Sequence, residues 1–237
     1  KNKNIITSKV EHPSILNPCR QLEEQGVEVF YLDVDCDGRI DINELDSKIT
    51  ESTALISLQH ANSETGVLQD IKRASDIARN KGVLFHTDAV QSVAKIPFSL
   101  KEFSVDMASV SSHKFYGPKG VGALYLKKGT PSLFSPVCGG SQEKKRRGGT
   151  ENVPGIIGFG KACELAAMGM EEKTKITELR DYFLGRIYKK IPGAKLFGDK
   201  KNRLPNTLNI GFDGLQGDTL LVALDLDGVA VSTGSAC

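Results

Sequence analysis

A lysine framed by small polar residues, a histidine and a Gly-Pro turn is the most chemically loaded stretch of this chain: Ser111-Ser112-His113-Lys114-Phe115-Tyr116-Gly117-Pro118-Lys119-Gly120. The Gly-Pro pair fixes the local backbone. A lysine attacks a carbonyl only when its amine is held near the target and has lost its proton, which burial promotes. Lysines of this kind form Schiff bases, among them the linkage to pyridoxal phosphate (PLP). On its own the stretch also reads as a solvated loop, so the other parts of such a site have to be sought elsewhere in the chain.

Asp88 closes an apolar run, and Gln91 follows three residues later. A carboxylate fixed there keeps a pyridine nitrogen protonated and makes the ring an electron sink, while Gln91 reaches the adjacent ring oxygen. The alternative is that Asp88 caps the next helix. All four histidines, His12, His60, His86 and His113, fall at or just after predicted strand ends. One stacked on a planar ring and one near a phosphate fits that sorting, whereas His60 and His86 also read as satisfied polar residues. No H-x-x-H or C-x-x-C spacing is present, so zinc is not expected.

The segment Gly139 to Asn152 (GGSQEKKRRGGTEN) packs glycines, four cations and Thr150 into one loop. Its backbone amides and Thr150 suit a phosphate, and its arginines suit phosphate or carboxylate. A basic solvated loop or a nucleic-acid patch are the alternatives, the latter weakened by the absence of interleaved aromatic residues. Asp33-x-Asp35-x-Asp37-Gly38-x-Ile40-Asp41-x-x-Glu44 matches an EF-hand calcium loop at its ligand positions. A calcium loop needs a helix before it, and Val27 to Leu32 alternates like a strand, so a strand–turn–helix corner is expected. Finally, Ser232-Thr233-Gly234-Ser235-Ala236-Cys237 sets a thiol among small residues, a setting that suits a reactive cysteine.

The elements that must position these residues follow a βαβα rhythm. Strands are predicted at Ile5-Thr7, Val27-Leu32, Ala54-Leu58 and Val83-Phe85, with helices over Ser14-Glu24, Ile42-Ile49 and Ile71-Asn80. That order makes a parallel sheet covered by helices, whose ligands sit beyond the carboxyl ends of the strands. The polar stretches His60 to Glu64, His86 to Asp88 and Ser109 to Lys114 each follow a strand and so converge on one rim. Later, helix is expected over Lys161-Lys190 with a break near Gly169, a strand at Thr207-Phe212, a helix at Asp218-Leu226 and a strand at Val229-Val231. A large domain over 1–170 and the start of a smaller α+β domain over 171–237 are expected.

The bulk composition agrees. The 237 residues are 39% hydrophobic and 25% charged, with a net charge of +2. A charge so near balance implies no wholesale polyanion partner, and no apolar run is long enough to cross a membrane. Five widely spaced cysteines do not make a disulfide framework, which points to a reduced, cytoplasmic setting. The chain opens without methionine and closes inside a Gly/Ser loop, so missing flanks are expected on both sides.

Taken in order, TSKVEH, HANSETG, HTDAVQS, SSHKFYGPKG, GGSQEKKRRGGTEN and STGSAC resemble the cysteine desulfurases, PLP enzymes of the class V aminotransferase group. The resemblance implies an α/β chain of PLP-dependent fold type I, with a mostly parallel large-domain sheet and an incomplete smaller C-terminal domain. It implies that Lys114 holds PLP, Asp88 pairs with the ring nitrogen, Gln91 bonds the ring hydroxyl and His12 stacks over the ring. Ser111 and His113 bind the phosphate, joined by Thr150 from the other subunit of a homodimer. Asn62 and Ser63 belong to the cofactor-contacting loop, where the family usually carries two asparagines. Cys237 takes sulfur from L-cysteine as a persulfide, releases alanine, and passes the sulfur to an acceptor such as an iron–sulfur scaffold protein, or toward thio-cofactors or tRNA. The family's upstream phosphate loop and downstream carboxylate-binding arginine have no counterpart in this sequence. A selenocysteine lyase, a related aminotransferase and an inactive scaffold homologue are the competing readings; no nucleic acid or membrane is expected as a direct partner.

Overall fold

A computed structural model describes residues 3–169 and 172–234. Six strands form one sheet in the order β2-β1-β3-β4-β5-β6: β1 Asn4–Ser8, β2 Glu28–Leu32, β3 Thr53–Gln59, β4 Leu84–Asp88, β5 Met107–Ser111 and β6 Gly122–Leu126. The first five are parallel to one another, and β6 closes one edge antiparallel to β5. Helices α1 (Pro13–Glu24), α2 (Ile42–Lys48) and α3 (Ile71–Asn80) connect the early strands. α3 illustrates why they form. Asp70 caps it by accepting from the Arg73 N–H at 3.0 Å, and Ile71, Ala74, Ser75 and Ala78 recur at helical spacing on its buried side.

Ile6, Ile56, Leu58 and Phe85 fill the sheet's core against Leu45, Ile71 and Ala74. Each large apolar side chain buried there contributes roughly 1.5–3 kcal/mol. The parallel strands bring their carboxyl ends, Ser8, Gln59, Asp88 and Ser111, to one edge, as the strand–helix rhythm predicts. Gln59 pairs with Asp88, and Asp88 with Ser109, across three adjacent strands.

The acidic corner is a strand–turn–helix, as expected. β2 leads into it, Val34 bridges Ile40, and α2 leaves it. Its carboxylates are taken by the fold: Asp35 Oδ1 accepts from the N–H groups of Asp37 and Arg39, Asp41 caps α2, and Asp33 pairs with Lys9. A cleft of about 520 Å³ beside it mixes those acids with Arg39 and Arg73. No group of three or more metal-ligating side chains occurs among the described residues.

The later chain departs from expectation in several places, among them an unexpected strand at Ala194–Leu196 and a strand expected at Thr207–Phe212 that spans only Ile210–Phe212. Helix begins at Val153, earlier than Lys161, in α4 (Val153–Met168), capped by Asn152 and ended at Gly169; α5 (Glu172–Lys190) follows. Asn152 explains the early start, since its side chain accepts from the Gly155 N–H at 3.1 Å. The strand expected at Val229-Val231 does not form. No neighbouring strand pairs with it among the described residues, and the Val229 N–H instead closes α6 (Gly217–Leu226) by bonding the Leu224 carbonyl. Strand residues Ala194–Leu196 (β7) and Ile210–Phe212 (β8) make a separate antiparallel pair. Between them the chain returns to the main sheet's rim, where the Leu68 N–H bonds Asn202 O at 2.9 Å and the Leu204 N–H bonds Gly66 O at 2.8 Å. No helix among the described residues is long and apolar enough to cross a membrane.

Candidate active site

Four neighbouring strand ends build the site. From β1 come Glu11 and His12. His12 caps α1, its Nδ1 accepting the Ser14 N–H at 3.1 Å, so the neutral ring carries its proton on Nε2. From β4 comes Asp88. Its Oδ1 accepts from the Val90 N–H at 2.9 Å, and no bond to Oδ2 forms among the described residues. Burial raises the Asp88 carboxyl above its usual range, against the pull of the Val90 N–H and of the nearby His12 and Lys114. That balance places Lys114, on the 3₁₀ turn Ser112–Phe115 after β5, and His12 within electrostatic reach of one half-buried carboxylate. The alternative reading of Asp88 as a helix cap is not met, because no helix follows β4 among the described residues; the carboxylate bonds a turn instead.

The lysine turn is tightly built. It ends at Tyr116, which adopts a left-handed conformation with φ 67°. Gly117 then passes directly over the buried Ser112, where an added Cβ would stand 2.0 Å from Ser112 Oγ and 3.0 Å from the Ala162 Cβ. Gly117→Ala is therefore expected to destabilise the protein by about 1–3 kcal/mol; an unchanged urea midpoint would show that the turn relaxes freely. Ser111 Oγ and His113 Nδ1 lie 3.0 Å apart at the surface of this turn, a polar pair able to meet an anion.

The other expected site residues fall differently. Asn62 is committed to its own loop: Nδ2 donates to Val10 O, and Oδ1 accepts from the N–H groups of Glu64 and Thr65 and from Thr65 Oγ1. Its oxygen is thus taken by a turn, and any contact with a cofactor falls to Nδ2. Ser63 is half-buried on the same loop, which is clamped from the far side by Arg203 bonding Thr65 O and by Asn209 Nδ2 bonding Glu64 O. Thr150 is exposed and bonds neither Ser111 nor His113 among the described residues; Arg147 Nη1 donates to its carbonyl at 3.4 Å. Cys237 lies outside the described residues. The stretch leading to it, Val231 to Gly234, lines a cleft of about 410 Å³ together with Ser63 and Glu64.

His60 and His86 are structural. His86 bonds Ser57 Oγ and Ser109 Oγ at 2.8 Å each, and burial pushes it down to about 4. His60 packs against the rings of Phe98 and Phe103, and burial pushes it down to about 4 as well. Neither carries charge at neutral pH.

Two residues of the site were not singled out by sequence reasoning. Glu11 bridges Ser8 Oγ and the Gln59 N–H, while its Oε2 is buried without a partner; burial pushes its carboxyl up to about 8, so it is neutral at pH 7. Lys95 donates to Gln91 Oε1. The one available signal was local: a carboxylate beside His12, and a lysine four residues after Gln91.

The family model described as aminotransferase class-V matches residues 1–237. The chain belongs to the class-V aminotransferases. This class-V chain is 51% identical over 238 residues to a protein of Dictyoglomus turgidum named cysteine desulfurase IscS, covering 100% of this chain and 60% of that protein. It is 46% identical over 237 residues to a cysteine desulfurase of Nostoc sp., covering 99% and 59%. Among solved structures, a NifS-like protein superposes with a TM-score of 0.93 at 39% identity, over 98% of this chain and 64% of that one. The structure described as SspA in complex with cysteine gives 0.81 at 33% identity, over 99% and 65%. The class-V chain thus spans about 60% of the length of the curated relatives that it matches.

Proposed function

We propose that the protein is a PLP-dependent cysteine desulfurase, removing sulfur from L-cysteine and carrying it as a persulfide on Cys237. The observation that carries this reading is the convergence of Lys114, Asp88 and His12 on one rim, beside a cleft that the approach to Cys237 shares with Ser63 and Glu64. The names borne by similar proteins agree with it.

The residues present fit PLP. Asp88 offers a half-buried carboxylate with one oxygen bonded by backbone and the other available to a cationic ring N–H. Ser111, His113 and the backbone after β5 suit its phosphate. PLP, when bound, draws electrons from the Cα of an amino acid. Lys114 would hold it covalently and would carry the Cα proton on Nζ. His12 would cover one face and Gln91 would meet the ring oxygen. The Cys237 thiolate attacks the substrate sulfur: an S–S bond forms as the Cβ–S bond breaks, its electron pair stays with the carbon skeleton, and protonation releases alanine.

Thr150 is read as completing the phosphate site across a homodimer. Apolar surface supports a subunit interface there: Tyr116 is fully exposed, and Phe134, Val153 and Ile157 are more than half exposed around the turn and the Thr150 loop. The small domain is read as beginning near residue 171. Sulfur then passes to an acceptor protein in the cytoplasm, of the kind that assembles iron–sulfur clusters. The test is direct. The purified full-length protein is expected to show a visible absorbance band that changes when L-cysteine is added, with alanine and sulfide formed; absence of the band would put the scaffold reading in its place.

A further inference from the structure

Gln91 does not end free in the site. Lys95 Nζ donates to Gln91 Oε1 at 2.5 Å. An amide has one oxygen and one NH₂, so a cation held on the oxygen decides which way the group faces. With Oε1 engaged by Lys95, the Nε2 hydrogens remain for a ligand, and what they recognise is an acceptor oxygen.

The backbone is shaped to make this contact. Ala94, immediately before Lys95, has φ 66°, a left-handed conformation that strains any residue with a Cβ. Strain of this kind persists where the surroundings enforce it, and here the Lys95 and Ile96 N–H groups both bond Ser92 O, at 3.0 and 3.1 Å, while Ser92 Oγ bonds Ala89 O.

Burial, and then the nearby Lys114 ammonium, push the Lys95 amine down to about 8, so it keeps most of its charge at neutral pH while it holds Gln91 Oε1.

We propose that Lys95 is a positioning residue, fixing the Gln91 amide so that Nε2 faces the oxygen acceptor of the bound group. This rests on the reading of Gln91 and Lys114 as PLP-binding residues. Two variants of the full-length protein separate its parts. Lys95→Met removes charge and donor, whereas Lys95→Gln keeps a donor for Gln91 Oε1 and removes the charge. PLP retention by the loaded protein, followed through its visible absorbance during dialysis, is expected to be roughly tenfold weaker in Lys95→Met and near wild type in Lys95→Gln. PLP affinity unmoved in Lys95→Met, or lowered equally in both variants, each with a wild-type unfolding midpoint, overturns the inference. A wild-type protein without any visible band overturns the PLP reading itself, which distinguishes the two failures.

Discussion

Replacing Lys114 by alanine abolishes the visible absorbance band of the PLP-bound protein and lowers alanine formation from L-cysteine by at least ~10⁴-fold, the scale of removing both a covalent anchor and a positioned acid–base group. The expectation follows from where Lys114 sits. Its 3₁₀ turn is anchored by the buried Ser112 and Phe115 and closed by the tight Tyr116-Gly117 passage, so the amine is carried on a rigid element. Its charge is felt by Asp88 across the rim and by Lys95 from the neighbouring turn. Alanine removes the amine and leaves the turn's backbone intact. The measurement is a spectrum of the purified variant. A wild-type band in Lys114→Ala would mean that another lysine carries the linkage, with Lys95 the next to substitute.

Cys237→Ser separates cofactor chemistry from sulfur transfer. The variant is expected to keep the visible band and its response to L-cysteine, while sulfide release falls by at least ~10³-fold. A serine hydroxyl stays protonated where a thiol ionises, and thiolate is the nucleophile that such a step needs. Val231 to Gly234, which lead toward Cys237, lie in the cleft that also holds Ser63 and Glu64. Undiminished sulfide release from Cys237→Ser would remove this residue from the reaction and favour a different sulfur carrier.

Much of the fold was legible because its signals are local. The parallel sheet followed from short β-rich runs alternating with helical periodicity, and the acidic corner was separable from a calcium loop by the strand pattern of Val27 to Leu32. Segments whose structure depends on distant partners were not. Val229-Val231 has strand composition, yet a strand exists only where another backbone pairs with it, and α6's closing bond claimed the Val229 N–H instead. The helix start at Val153 turned on a cap at Asn152 whose strength no periodicity reveals.

The amino-acid sequence by itself singled out the residues proposed to carry the chemistry: Lys114, Asp88, Gln91, His12 and Cys237 stand out by type and by the order of their motifs. Tertiary structure decided how those residues are used. Asn62 and Ser63 are neighbours of similar polarity, but packing against Val10 and the Thr65 turn takes up the Asn62 oxygen and leaves Ser63 beside the cleft. Glu11 and Lys95 read as ordinary charged residues until the fold buries one between β1 and β3 and folds the other back onto Gln91. The reason is physical. A side chain's type sets which bonds and charges it can offer, whereas desolvation and partner geometry, which fix its protonation and direction, arise only when strands distant in sequence come together.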